Sequence, residues 1–144
     1  MKKTLAMLLL MAAQATLAAP TIYVVDPAHT YPSFEADHMG ISVWRGKLNR
    51  SSGKVVFDKA AATGSVEIVT ELASIDFGMD PLARWARGKE FFDVKRFLRA
   101  VFKGTLQAPV DGVPTQLVGE LTLHGVKQKL RSNERHTCLD VTMK

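Results

Sequence analysis

Apolar and polar residues alternate in short runs along most of this chain, and glycine or proline breaks the runs at roughly 8–12-residue spacing. A period of two sends successive side chains to opposite sides of an extended backbone, so such a chain is confined to antiparallel β-structure with one greasy face. "SFEADH" (33–38) sets Phe34, Ala36 and His38 against Ser33, Glu35 and Asp37. "GSVEIVTEL" (64–72) sets Val66, Ile68 and Leu72 against Glu67 and Glu71. "RAVFKGTLQ" (99–107) places Ala100, Phe102, Gly104 and Leu106 together, and "QLVGELTLHG" (116–125) does the same with Leu117, Gly119, Leu121 and Leu123. With "ISVWRGKL" (41–48), "GKVVFD" (53–58) and the strand-like "VKQKL" (126–130), these segments make about seven strands. A short β-branched run, "TIYVV" (21–25), precedes them and is stopped by Asp26-Pro27. One stretch departs from the pattern. "MDPLARWARGKEFFDVKRF" (79–97) offers Asp80 as an N-cap, Pro81 at the first helical position, Gly88 as a stop and a second turn around Phe91–Val94. The fold class expected is therefore all-β: an antiparallel barrel or sandwich with a short helical insertion.

The length of 144 residues is one domain's worth. Residues 1–18 read as a secretory signal peptide: Lys2 and Lys3, an apolar run from Leu5 to about Ala13, then Thr16 and Ala18 before a cut at Ala19. This places the mature chain in the periplasm, and losing those two lysines lowers the formal net charge from +5 to +3, too mild a balance to name a partner. The one cysteine, Cys138, has no internal partner for a disulfide, so stability must come from burial.

Polar chemistry finds little support. Asp26 and His29 lie three apart in a turn, but no activated nucleophile accompanies them; Ser33 is the nearest hydroxyl and lacks a GxSxG elbow. His29, His38 and His124 show no HxH or HExxH spacing, so neither a catalytic group nor a metal site is expected. The inward positions Ala36, Ala100, Gly104 and Gly119 are small, which marks either bends of a barrel or room for an apolar ligand. His38 shares a face with Phe34 and reads either as a core histidine bonded to backbone or as a polar group orienting a ligand's head.

"YVVDPAHTYPSFEADHMGISVWRGKL", "GKVVFD", "ARGKEFFDV", "AVFKGTL" and "GELTLHGVKQKL", in this order and spacing, resemble the YceI-like family of secreted bacterial proteins, from about Ile22 to about Leu130. The resemblance implies a lipocalin-like antiparallel β-barrel holding a long isoprenoid chain, such as a polyprenyl or quinone-type lipid, and a binding role rather than an enzymatic one, with no other cofactor. Asp26 and His29 then match a structural corner before the inward-facing Phe34 and His38. Parity of the alternation adds Phe57, Ile68, Phe102, Leu117, Leu121 and Leu123 as ligand-lining residues. The barrel domain is expected over 19–130, and the likeness is lost in the divergent tail 131–144, "RSNERHTCLDVTMK", where Leu139, Val141 and Met143 alternate only briefly. The expectation is a barrel incomplete at its C-terminus: a truncated product unable to bind, or one that two copies close by exchanging strands as a homodimer. A rival reading rests on 83–99, where Arg84, Arg87, Lys89, Lys95, Arg96 and Arg99 interleave with Trp85, Phe91, Phe92 and Phe97. Such a segment suits transient contact with an anionic membrane surface, as a membrane-associated or stress-related protein without a ligand; secretion argues against nucleic acid as the partner.

Overall fold

Nine strands and one helix arise from the alternating runs in a computed structural model that describes residues 19–132. They are β1 (Thr21–Val24), β2 (Ser33–His38), β3 (Ser42–Leu48), β4 (Ser51–Asp58), β5 (Thr63–Glu71), β6 (Ile75–Asp76), α1 (Asp80–Ala86), β7 (Arg99–Val110), β8 (Val113–Leu123) and β9 (Val126–Ser132), with a single 3-10 turn over Leu72–Ser74. Every pairing is antiparallel, as expected of the all-β reading. The expected leader (1–18) and most of the expected tail, with Cys138, lie outside the described residues.

The strands form two sheets, one of six in the order β1-β4-β5-β7-β8-β9 and one of three in the order β2-β3-β6. Among the described residues no strand joins β9 back to β1, so the barrel expected from the alternation is an open, lipocalin-like sheet and not a closed cylinder. Closure would remove both edges, whereas here the outer edges of β1 and β9 stay free of any other described strand. β9 runs two residues beyond the run that ends at Leu130, with Arg131 opposite Val118 and Ser132 opposite Leu117.

The helix begins one residue earlier than its sequence suggests. Met79 takes the N-cap position with extended backbone, and Asp80 and Pro81 fall in the first turn, where a carboxylate complements the exposed N–H groups. The Gly88 N–H closes on the Trp85 carbonyl at 2.8 Å, and Arg87 then ties the helix down. Its guanidinium donates from Nε to the Ala73 carbonyl (3.0 Å) and from Nη2 to the Ile75 carbonyl (3.1 Å). That clamp holds the 3-10 turn and β6, whose two residues are too short to show any alternation in the sequence. The innermost side chains belong to this region: Leu72 and Ile75 are fully buried, packed with Leu48, Ala86, Phe92 and Ala100.

Tight backbone contacts fix the large sheet. Gly104 and Gly119 face each other across β7 and β8, and a Cβ on Gly119 would stand 2.3 Å from the Lys103 carbonyl oxygen and 2.6 Å from the Gly104 Cα. Gly112, in contrast, has a left-handed backbone (φ 74°) with nothing near the missing Cβ. Gly119→Ala is therefore expected to cost about 3 kcal/mol through backbone displacement, and Gly112→Ala about 1 kcal/mol through its φ alone. Urea unfolding midpoints of the two variants against the parent check that order.

Candidate functional site

The apolar face of the large sheet is built by cross-strand register. Phe57 stands opposite Gly64, Gly64 opposite Leu106, and Leu106 opposite Leu117. Ile68 stands opposite Phe102, and Phe102 opposite Leu121. Directly opposed residues in an antiparallel pair project from the same side, so both rows share one face, and Leu123 joins it two residues along β8. The parity of the sequence thus carries through the four strands β4, β5, β7 and β8 without a slip. Val55, Val66, Leu106 and Leu130 belong to the same face, with Val66, Phe102 and Leu117 forming its buried centre. Val66 and Leu106 already stand on the alternating faces read from the sequence and Val55 lies one step from Phe57, whereas Leu130 comes from β9, opposite Gly119, where no lining residue was expected. On the opposite face Glu67 pairs with Lys103 (3.1 Å) and Glu120 with Lys127 (2.8 Å), exposed ion pairs that add little to stability.

The small inward residues have a specific use. Phe102 folds its ring over the Gly104–Gly119 pair, so that a Cβ would meet Phe102 Cζ at 2.8 Å from Gly104 and 2.6 Å from Gly119. The space read from these glycines as room for a ligand is taken by that ring. Phe57 likewise lies against Gly64, and Phe34 against its direct partner Gly46. Flattened rings on glycine cover the backbone ladder with apolar surface while adding little height to the face, the same device by which aromatic residues offset strand glycines elsewhere.

Phe34 belongs to a second group. Its ring meets Phe77 edge-on at 5.7 Å and Phe92 at 6.1 Å; Phe92 meets Phe91 at 4.6 Å, and Phe91 lies 5.4 Å from Trp85. This chain of rings connects the small sheet to the helix, and Phe34, Phe77, Phe91, Leu121 and Leu123 all pack against the one buried cluster that holds Phe92. Leu121 touches both apolar groups and joins them into one surface. Of the eight residues singled out from the sequence, Ile68, Phe102, Leu117 and Leu121 come together at the sheet centre, Phe34 and Leu123 at the aromatic end, and Phe57 lies on the same face beside Gly64. His38 stands apart: it is exposed, edge-on to Trp44 at 5.4 Å, with Nδ1 3.4 Å from the Ser42 hydroxyl. Phe77 escaped the sequence reading because it sits in "IDFGMD", which carries no alternation.

Asp26 and His29 form a corner. The Asp26 carboxylate accepts the Ala28 N–H at 2.9 Å and lies 2.6 Å from His29 Nδ1. The hydrogen bond from His29, aided by the Ala28 N–H, holds this carboxyl below the usual aspartate range. Both side chains are exposed, and the pattern is that of an Asx-type turn feeding β2. Among the described residues no three of His, Cys, Asp and Glu gather closely enough to hold a metal ion. What the arrangement offers is a broad apolar surface with its polar groups at the margins.

The sequence profile of the YceI-like domain matches residues 23–137. A UPF0312 protein of Vibrio parahaemolyticus is 32% identical over 111 residues, which cover 75% of this chain and 59% of that protein, so the chain spans under two thirds of the length of this curated relative. Among solved structures, Burkholderia cenocepacia BcnA superposes with a TM-score of 0.60 at 26% identity, over 74% of this chain and 69% of that one. The Campylobacter jejuni YCEI protein superposes at 0.57 and 24% identity, over 76% of this chain and 64% of its own, and supports the fold alone. With that profile covering most of its length, this chain belongs to the YceI-like domain family.

Proposed function

We propose that this protein binds a long apolar lipid of the isoprenoid or quinone type in the periplasm, laying it along the apolar face of the large sheet. The observation that carries this reading is the register that aligns Phe57, Ile68, Phe102, Leu117, Leu121 and Leu123 on one side of the four neighbouring strands β4, β5, β7 and β8. A flexible hydrocarbon gains from such a surface without any hydrogen bond. Each CH₂ removed from water contributes roughly 0.8 kcal/mol, so a five-carbon isoprene unit contributes about 3–4 kcal/mol before the cost of ordering the chain. A few units suffice for tight binding, and the function is that of a carrier and not of an enzyme. His38, being exposed, would meet the lipid only at the solvent end of β2.

A carrier must load from a membrane, and residues 83–99 favour surface contact as part of the same cycle. Arg84, Lys89, Lys95, Arg96 and Arg99 are exposed there, and Trp85 and Leu98 add exposed apolar surface (51% and 66%). Cations beside an interfacial aromatic suit anionic headgroups. The outer edges of β1 and β9, which no other described strand covers, are where a second copy would add its strands in a dimer.

Native mass spectrometry of the purified full chain, before and after organic extraction, tests the carrier reading. An apolar lipid that co-purifies and is removed by extraction is expected; a chain that stays bare after exposure to polyprenyl lipid rules the reading out. Ile68→Lys, which sets a charge in the middle of the face, should lower lipid occupancy at least about tenfold while the β-sheet circular dichroism persists. Replacing Arg84, Lys95 and Arg96 together by Gln should abolish the salt-sensitive part of binding to vesicles containing anionic lipid, as read by flotation at low and high salt.

A further inference from the structure

The turn between β2 and β3 is built against the usual rule for hairpins. Two-residue turns with positive φ favour Asn, Asp and Gly, yet here Met39 (φ 61°) and Gly40 (φ 70°) occupy the bend and Ile41 follows. The turn is well tied: the Asp37 carboxylate accepts the Gly40 N–H at 3.0 Å, and the Ile41 N–H donates to the His38 carbonyl at 3.1 Å. Its two large apolar side chains point into water, Met39 at 81% and Ile41 at 83% exposure, with Val43 at 47% beside them. A non-glycine residue in the left-handed region costs roughly 1 kcal/mol or more, and an exposed methionine there recovers none of it within the fold.

Behind the tip the hairpin changes character in steps. β3 pairs with β6 only at Lys47 and Leu48; from Gly46 outward its one described neighbour is β2, so the hairpin reaches away from the body. Trp44, with His38 against it, stands three residues behind Ile41, about 10 Å along an extended strand. Arg45 and Lys47 follow, Arg45 paired with Glu35 at 2.6 Å and Lys47 over the Tyr31 ring at 5.7 Å. Asp37 is the one carboxylate near the tip, and it is engaged by the Gly40 N–H. An apolar point, an aromatic ring about 10 Å back and cations behind that follow the sequence of environments met on entering a bilayer, where interfacial elements sink about 5–10 Å.

We infer that the β2–β3 tip is a membrane-inserting element that places Met39 and Ile41 among the lipid chains and Trp44 at headgroup level. It would dock the protein in one orientation beside its source of lipid; this deepens the carrier reading and rests on it for its purpose, though not for its test. The probe is the full chain with Trp85 replaced by Phe, leaving Trp44 as the only indole, mixed with phosphatidylcholine vesicles with and without brominated acyl chains in high salt. High salt removes the contribution of residues 83–99, and lipid carriage is measured apart from insertion by mass spectrometry. Trp44 emission should shift to the blue and be quenched by the brominated chains. The pair Met39→Asn with Ile41→Ser should lower vesicle partition about tenfold or more while lipid occupancy is retained. Asn is well suited to the left-handed backbone, so thermal unfolding of this variant should be unchanged or later, the reverse of what a purely structural role for Met39 predicts. Unquenched Trp44, or equal partition of the variant, overturns the inference. So does loss of a dimer or of a protein complex in the variant with no effect on vesicles, which would assign the tip to a protein contact.

Discussion

Cross-strand register on the large sheet is the constraint from which the rest of the molecule follows. A slip of one residue between β5 and β7 would turn Ile68 away from Phe102 and bring charged Glu67 or Lys103 onto the apolar face. The register is held from both sides: by the buried Val66–Phe102–Leu117 centre on one face, and by Glu67 opposite Lys103 on the other. The Gly104–Gly119 contact adds a steric lock, because only glycine lets β7 and β8 approach as they do beneath the Phe102 ring. The Phe102 ring over these glycines, with Phe57 against Gly64, then sets the shape of the apolar face.

The second apolar group solves a different problem. A single-layered sheet cannot bury its greasy side alone, and the segment between β5 and β7 supplies the missing layer at one end. Leu72 and Ile75 are the most deeply buried large side chains, and Phe34, Phe77, Phe91 and Phe92 surround them with edge-on ring contacts. Arg87, through two bonds to backbone carbonyls, joins α1 to this layer, so one of the six cations in 83–99 serves the fold and the exposed ones remain for solvent or headgroups. The small sheet leaves from the same end, and its distal hairpin therefore projects from a firmly packed base.

Much of this was legible in the residues. Strands β2, β5, β7 and β8 lie within a few residues of the alternating runs that announce them, and the family likeness in "DPAHTYPSFEADHMGIS", "KEFFDV" and "LTLHGV" agrees with the domain match. Six positions of the apolar face could be named because parity is a local property. The helix start moved by one residue because Asp80 and Pro81 both suit the first turn, and Met79 supplies the extended backbone ahead of it. β6 and the 3-10 turn were hidden, since segments of two and three residues carry no period. The use of Gly104 and Gly119 was ambiguous in the sequence for the same reason: a missing side chain does not say what fills its place.

By itself the sequence determined the strand content and the greasy face of each strand, because these depend on neighbours within a few positions. Only the tertiary structure decided that the described sheet stays open, that Phe102 occupies the hollow over two glycines, that Phe34 joins an aromatic cluster with Phe77 and Phe92, and that His38 faces water beside an exposed apolar tip. Those outcomes depend on which strands meet across the fold, and contacts between residues far apart in the chain leave no period to read.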